Sequence, residues 1–244
     1  MDLELIDLFS AQNPHEILDF RLMTPEERFT RQWNPVDVIH GIRDKVVGVL
    51  ANPIDAAIET VKGKHLKDIE RYARQVCDKS LPSWRNNMPG ETPPYLETRR
   101  REYALRDDER VRLEIEKYGA MPTKGQVFFH AGILPETNCV VLDRPLSTSL
   151  SPVVAWLDAL RHISQIFDLT FSVYVLKVVK PRTKVFVYDH KDLNFGHELE
   201  VLFNAGALIT NQCVVGEIKK ELTVCWQYGI RKEFLVRVVS AEIS

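Results

Sequence analysis

The stretch Gly196-His197-Glu198-Leu199-Glu200-Val201-Leu202 holds the pattern on which the rest of the chain can be organised. It follows a turn-like segment, Asp192-Leu193-Asn194-Phe195, and leads through Phe203 into Asn204-Ala205-Gly206-Ala207. The apolar residues Val201, Leu202 and Phe203 read as a short strand with the two glutamates at its start. Side chains alternate between the two faces of a strand, so Glu198 and Glu200 are expected on the same face. Like charges in that arrangement repel each other. Such a pair persists at a solvated strand start, or where a cation, a metal or a sugar hydroxyl offsets the repulsion. The pair alone leaves both readings open.

The same texture extends outward from this stretch. Beyond Gly119, β-branched and aromatic runs occur at Val127 to Phe129, Val140 to Leu142, Phe171 to Val179, Val185 to Tyr188, Leu222 to Trp226 and Phe234 to Val239, with turn residues between them. Residues 152–168 predict one helix among these strands. The first 78 residues or so read as helical. Leu3, Ile6, Leu8 and Phe9 suggest a short apolar face, and Val36, Ile39, Ile42, Val46 and Val49 recur at steps of three or four behind Asn34-Pro35. Asn52-Pro53 repeats the cap-and-proline device ahead of Ile54, Ile58 and Val61. A third Asn-Pro stands at 13–14; shared capping chemistry explains the three better than an internal repeat.

Residues 79–95 hold four prolines and a glycine and mark the best boundary. Residues 96–118 read as one charge-rich exposed helix. Its Arg99-Arg100-Arg101 could touch phosphates, but a solvated face paired with Glu97, Glu102 and Asp107 is the plainer reading. The expected organisation is α+β: a helical N-terminal region over 1–95, then a mixed, β-rich domain over 96–244.

The 244 residues are 45% hydrophobic and 27% charged, with a net charge of -2, as in an ordinary globular protein. Nothing in that balance calls for a nucleic-acid or anionic-membrane partner. The four cysteines at 77, 139, 213 and 225 form no C-x-x-C pair, so reduced buried thiols are expected. No run reaches the length of a membrane span, and Met1-Asp2-Leu3-Glu4 lacks a cationic n-region. The chain is therefore expected to work in solution, in the cytoplasm of a producing or host cell, or after secretion by a route without a classical signal peptide. The seven histidines show no metal-ligand spacing, so no metal is expected, and there is neither G-x-G-x-x-G nor a P-loop.

Two further segments carry chemistry-bearing residues. Gln126 to Gly132 is a strand ending in His130, with small Ala131 and Gly132 behind it, where a ligand could approach the backbone. Leu146 to Pro152 contains Ser147, Thr148 and Ser149, with the hydroxyls of 147 and 149 expected on one face. Ser151 is a candidate N-cap for the helix that begins at Pro152.

Taken together and in order, the three segments resemble the arginine-specific mono-ADP-ribosyltransferases of the cholera-toxin and clostridial binary-toxin group. That family has an arginine ending a first strand, a Ser-Thr-Ser strand, and Glu-x-Glu after a recognition loop. Residues 196–209 (GHELEVLFNAGALI) are similar to its Glu-x-Glu-Val-Leu-x-x-x-Gly pattern, and the resemblance covers about residues 120–244. It implies an ADP-ribosyltransferase fold and NAD as substrate, bound without a Rossmann motif. Glu200 would be the catalytic glutamate, stabilising the oxocarbenium-like charge left when nicotinamide departs. Ser147 would position Glu200, while Thr148 and Ser149 would shape the NAD pocket. Glu198 would receive the target guanidinium and help deprotonate it, because arginine is a poor nucleophile without a base.

The resemblance further implies that Phe195 touches a target protein and that the backbone of Ala131 or Gly132 binds the nicotinamide amide. His130 departs from the pattern, standing where the group has arginine. In the diphtheria-toxin and poly-ADP-ribose polymerase branch, a histidine at this strand end contacts the adenosine ribose. The short span from Ser149 to Phe171 leaves Phe167 as the candidate for an aromatic lid. Residues 1–95 would direct targeting or partner binding in a toxin, effector, phage or viral protein. An inactive transferase-fold binding protein and an NAD glycohydrolase are the alternatives.

Overall fold

The computed structural model describes residues 2–21, 24, 27, 42–102, 105, 107–135, 137–163, 171–192, 198–225 and 230–244. Its centre is β6 (Phe171–Val178), whose side chains are almost all buried, as expected of a strand covered on both faces. On one side β6 pairs antiparallel with β3 (Val127–Gly132), and on the other parallel with β10 (Ile230–Ile243). Beyond β3 lie β5 (Leu146–Ser149), β8 (Glu200–Phe203) and β7 (Val185–Val187). Beyond β10 lie β9 (Leu208–Cys225) and β4 (Cys139–Val141). The eight strands run in the order β4-β9-β10-β6-β3-β5-β8-β7. The expected strand-rich α+β organisation is what the chain adopts.

β9 is longer than the sequence suggests. A strand is legible only near 222–226, yet pairing with β10 begins at Ile209. Residues 211–221 mix Val214, Val215 and Ile218 with polar and charged residues and are exposed or half-buried, so their strand conformation comes from pairing with β10 rather than from burial.

The N-terminal region is only partly helical, which corrects the sequence expectation. α1 (Pro53–Lys62) forms as predicted: Asp55 N donates to the Asn52 side chain at 2.9 Å, Pro53 opens the helix, and Gly63 ends it with φ of 79°. α2 (Leu66–Arg85) follows. It runs into the segment expected to be a break: Pro82 withdraws one N–H from the ladder of its last turn, and the helix ends three residues later. The chain bends only over 86–93.

Residues 42–50, by contrast, form β2 (Ile42–Leu50), paired antiparallel with β1 (His15–Arg21). The β-branched Val46, Val47 and Val49 favour a strand once a partner strand is present, and this outweighs their helical spacing. The Asn34-Pro35 start of that expected helix lies outside the described residues. Residues 3–9 are not helical either. Leu3, Ile6, Leu8 and Phe9 are buried on an irregular segment. Its backbone finds partners across the molecule: Leu3 N donates to Met121 O, Ile6 N to Gln126 Oε1 at 2.8 Å, and Gln126 Nε2 to Ile6 O at 3.1 Å.

The helix expected over 96–118 is two helices, α3 (Pro94–Arg101) and α4 (Asp108–Tyr118), with Asp107 capping the second through Arg110 N. α5 (Pro152–Ile163) lies against β3 and β5 and touches α1 and α2. The hydrophobic core is continuous across residue 95: buried Trp84 packs on Phe128, 6.2 Å between centroids, and Phe128 meets Phe203 edge-on at 5.1 Å.

Candidate active site

Three neighbouring strands, β3, β5 and β8, bring the chemistry-bearing segments together. In the antiparallel β5–β8 pair Ser149 stands opposite Glu200 and Ser147 opposite Leu202, so Ser147 and Glu200 are diagonal neighbours on one face. Ser147 Oγ donates to Glu200 Oε1 at 2.6 Å. Ser149 Oγ donates to Glu198 O at 2.7 Å and accepts from Ser151 N at 3.1 Å. Thr148 faces the other way, as expected, and spends its hydroxyl on Val201 O at 2.6 Å. Ser151 Oγ also accepts from Val154 N at 3.4 Å, so the triplet's neighbour caps α5 while the triplet organises the acidic segment.

Strand β8 begins only at Glu200. Leu199 sits in the left-handed region with φ of 48°, and its side chain is buried. A non-glycine residue there carries local strain of about 1–3 kcal/mol, held by the surrounding packing. The two carboxylates therefore reach one cleft through a kinked backbone rather than by simple strand alternation.

His130, at the end of β3, places Nδ1 2.8 Å from Ser147 O. A carbonyl only accepts, so Nδ1 carries the proton and Nε2 is left as an acceptor in the neutral ring. Burial pushes the His130 pKa below the ordinary histidine value, partly offset by the bond to Ser147 and the charge of Asp158. Gly132 leaves room for that ring: a Cβ there would lie 2.9 Å from Nε2.

A cleft is lined by His130, Ala131, Ser147, Thr148, Ser149, Glu198 and Glu200, together with Phe129, Val154, Ala155 and Asp158. Seven of the residues singled out in the sequence thus share one cavity. Gly132 sits beside it against the His130 ring. Phe195 and Phe167 lie outside the described residues. Among the described residues, no group of three or more His, Cys, Asp or Glu side chains is placed to hold a metal ion, and no helix is long and apolar enough to cross a membrane.

Sequence reasoning missed three charged groups. Arg99 and Arg100 do not form a solvated face. Arg99 is buried and donates to Pro145 O at 3.1 Å. The Arg100 side chain is 2% exposed and pairs with Glu200 Oε2 at 3.7 Å and Asp192 Oδ2 at 3.5 Å, with its guanidinium over the Tyr188 ring. Only Arg101 behaves as expected, ion-paired with Glu97 at the surface. The missed signal was helical spacing: Leu96, Arg99 and Arg100 stand at i, i+3 and i+4, so the arginines share the face of a buried leucine. Asp158 is likewise one turn beyond Val154 and Ala155 on the cleft face of α5.

These charges set the state of Glu200. Burial raises its pKa above the ordinary carboxylate value; the Ser147 bond, Arg99 and Arg100 pull it down, and Asp158 pushes it up. Tyr188 is raised well above its usual range, first by burial and then by the Glu200 charge.

No protein-family model and no curated protein matches the chain. Among solved structures, the chain is similar to the ADP-ribosyltransferase Vis in complex with agmatine, at 15% identity over 76% of this chain and 90% of that one, with a TM-score of 0.43. It is also similar to the Vis toxin from Vibrio splendidus, at 13% identity over 79% and 91%, TM-score 0.33. A third is the enzymatic component C2-I of the C2-toxin from Clostridium botulinum, at 11% identity over 77% and 43%, TM-score 0.31. Likeness at this level leaves the chemistry of this chain to the side chains described above.

Proposed function

We propose that this protein is a mono-ADP-ribosyltransferase that moves ADP-ribose from NAD to a protein arginine and releases nicotinamide. The observation that supports this most directly is the Ser147–Glu200 hydrogen bond, which holds a buried carboxylate on the wall of a cleft that also presents Glu198 and a neutral His130. In this scheme the bond between the ribosyl carbon and the nicotinamide nitrogen breaks, and both electrons leave with nicotinamide. Glu200 accepts a hydrogen bond from the 2′-hydroxyl and stabilises the positive charge that develops on the sugar. An arginine nitrogen then bonds to that carbon and its proton passes to Glu198.

His130 Nε2, an acceptor, suits a sugar hydroxyl rather than a phosphate, for which a guanidinium is the stronger clamp. Ala131 and Gly132 would receive the nicotinamide amide, Thr148 and Ser149 would shape the pocket, and Phe195 would meet the target. The scheme uses no metal. Residues 1–95 would direct partner binding in a toxin or effector. Exposed Val46, Val47 and Val49 on β2 are consistent with such a surface.

The test is incubation with labelled NAD and a cell lysate, with Glu200→Ala as control. Label on a lysate protein, lost in Glu200→Ala and released by hydroxylamine, is the expected result. Nicotinamide release without protein labelling would point to a glycohydrolase. Absence of NAD turnover at any concentration would leave a binding protein and overturn the enzyme reading.

A further inference from the structure

We propose that Arg100 is a positioning residue for Glu200: its guanidinium braces one carboxylate oxygen while Ser147 braces the other, and Asp192 draws on the same guanidinium. The inference rests on the reading of Glu200 as the catalytic carboxylate.

The geometry has two sides. From β5, Ser147 Oγ donates to Glu200 Oε1 at 2.6 Å. From α3, Arg100 Nε lies 3.7 Å from Glu200 Oε2, an ion pair rather than a tight hydrogen bond. Surface ion pairs of that length count for little, but here the two side chains are 2% and 11% exposed, so solvent screens them weakly. Arg100 is itself held on two sides, by Asp192 Oδ2 at 3.5 Å and by the Tyr188 ring, 4.6 Å from Cζ to the centroid. Tyr188 OH donates to Leu96 O at 3.0 Å, which fixes the ring to the helix that carries Arg100. A planar fork can meet two carboxylates and a ring at once; a lysine ammonium cannot.

The brace has a chemical purpose. A buried carboxyl tends to keep its proton, and a neutral acid does not stabilise a developing cation. The groups that face Glu200 are Ser147 from β5, Arg99 and Arg100 from α3, Asp158 from α5 and Tyr188 after β7. Arg99 is turned to Pro145 O, whereas Arg100 reaches the carboxylate itself. Asp192 precedes the segment that leads to Glu198.

The test uses the full chain labelled at the glutamate carboxyl carbon. The Glu200 signal is assigned by its loss in Glu200→Gln and followed by NMR through a pH titration. In Arg100→Gln the Glu200 midpoint is expected to rise by about one pH unit or more, a tenfold gain in proton affinity. In Asp192→Asn it is expected to fall, because a neighbouring negative charge is gone and Arg100 turns wholly to Glu200. Arg101→Gln, which alters only the surface pair with Glu97, should leave it in place. The opposite signs separate a brace from general loosening of the fold, and Asp192→Asn carries the test if Arg100→Gln does not fold.

In NAD turnover, Arg100→Gln should lower kcat about 10–100-fold with KM within about threefold, and Arg100→Lys should fall between it and the parent. An unmoved Glu200 midpoint in Arg100→Gln would overturn the proposal. So would a KM raised tenfold at unchanged kcat, which would make Arg100 a phosphate clamp. Shifted midpoints in a protein that turns over no NAD would support the brace and sink the transferase reading; turnover with unmoved midpoints would do the reverse.

Discussion

Glu200 shows how one residue sets function against stability. Its carboxyl titrates above the ordinary value because burial outweighs the Ser147 bond and the two arginines. A folded-state pKa above the unfolded one means that the native protein binds the proton more tightly than the unfolded chain. That contribution to stability is present at low pH and is lost as pH rises through the folded value. Glu200→Gln removes the titration while keeping an oxygen for Ser147. It should therefore melt above the parent protein at pH 8, by about 2–4 °C for each kcal/mol gained in a chain of this size, with the gap closing towards pH 4. Melting curves across that range check the sign; a gap that widens as pH falls would contradict it. The residue types at 198 and 200 were legible as an unusual acidic pair. The left-handed Leu199 that lets both side chains enter one cleft was not, because a non-glycine residue adopts positive φ only when the surrounding packing holds it there.

At the scale of elements, local rules worked where the determining contacts are themselves local. Asn52 and Pro53 start α1 through a capping interaction within a few residues, as the Asn-Pro pair suggests. Those rules failed where a distant partner decides. Residues 3–9 carry helical spacing but form no helix, because Gln126 and Met121 satisfy their backbone from 120 or so positions away. Gln126 is fully buried, so Gln126→Ala strands the Ile6 N–H and C=O without partners. A loss of about 2–4 kcal/mol is expected, measured by denaturant unfolding, against about 1 kcal/mol for Asn52→Ala at an exposed cap. Equal losses at the two sites would refute the idea that the N-terminal segment is pinned by that side chain. α3 tells the same story for function. Its three arginines look alike in a charged run; spacing from Leu96 sets Arg99 and Arg100 apart from surface Arg101, and docking against Tyr188 and Glu200 decides what Arg100 meets.

For the whole molecule, the column Trp84–Phe128–Phe203 joins α2, β3 and β8, and Trp84 Nε1 donates to Glu4 O at 2.7 Å. Residues before and after 95 thus contribute to one continuous core. The chain should unfold in a single calorimetric transition, and Trp84→Ala should cost about 3–5 kcal/mol and lower that transition as a unit. Two resolved transitions, only one of them moved by Trp84→Ala, would show that the two regions are energetically separate. What the sequence determined by itself were features whose causes lie within a few residues: the strand-rich texture after Gly119, the Asn52-Pro53 start of α1, the helix at Pro152, and the three segments ending in His130, Ser149 and Glu200. Only the tertiary structure decided which partners they met. It paired β2 with β1 in place of a helix, extended β9 through an exposed stretch, turned Arg100 inward and placed Asp158 on the cleft. The physical reason is the same throughout. Burial, backbone hydrogen-bond satisfaction and charge pairing depend on which residues become neighbours in space, and local propensities of a few tenths of a kcal/mol per residue yield to them.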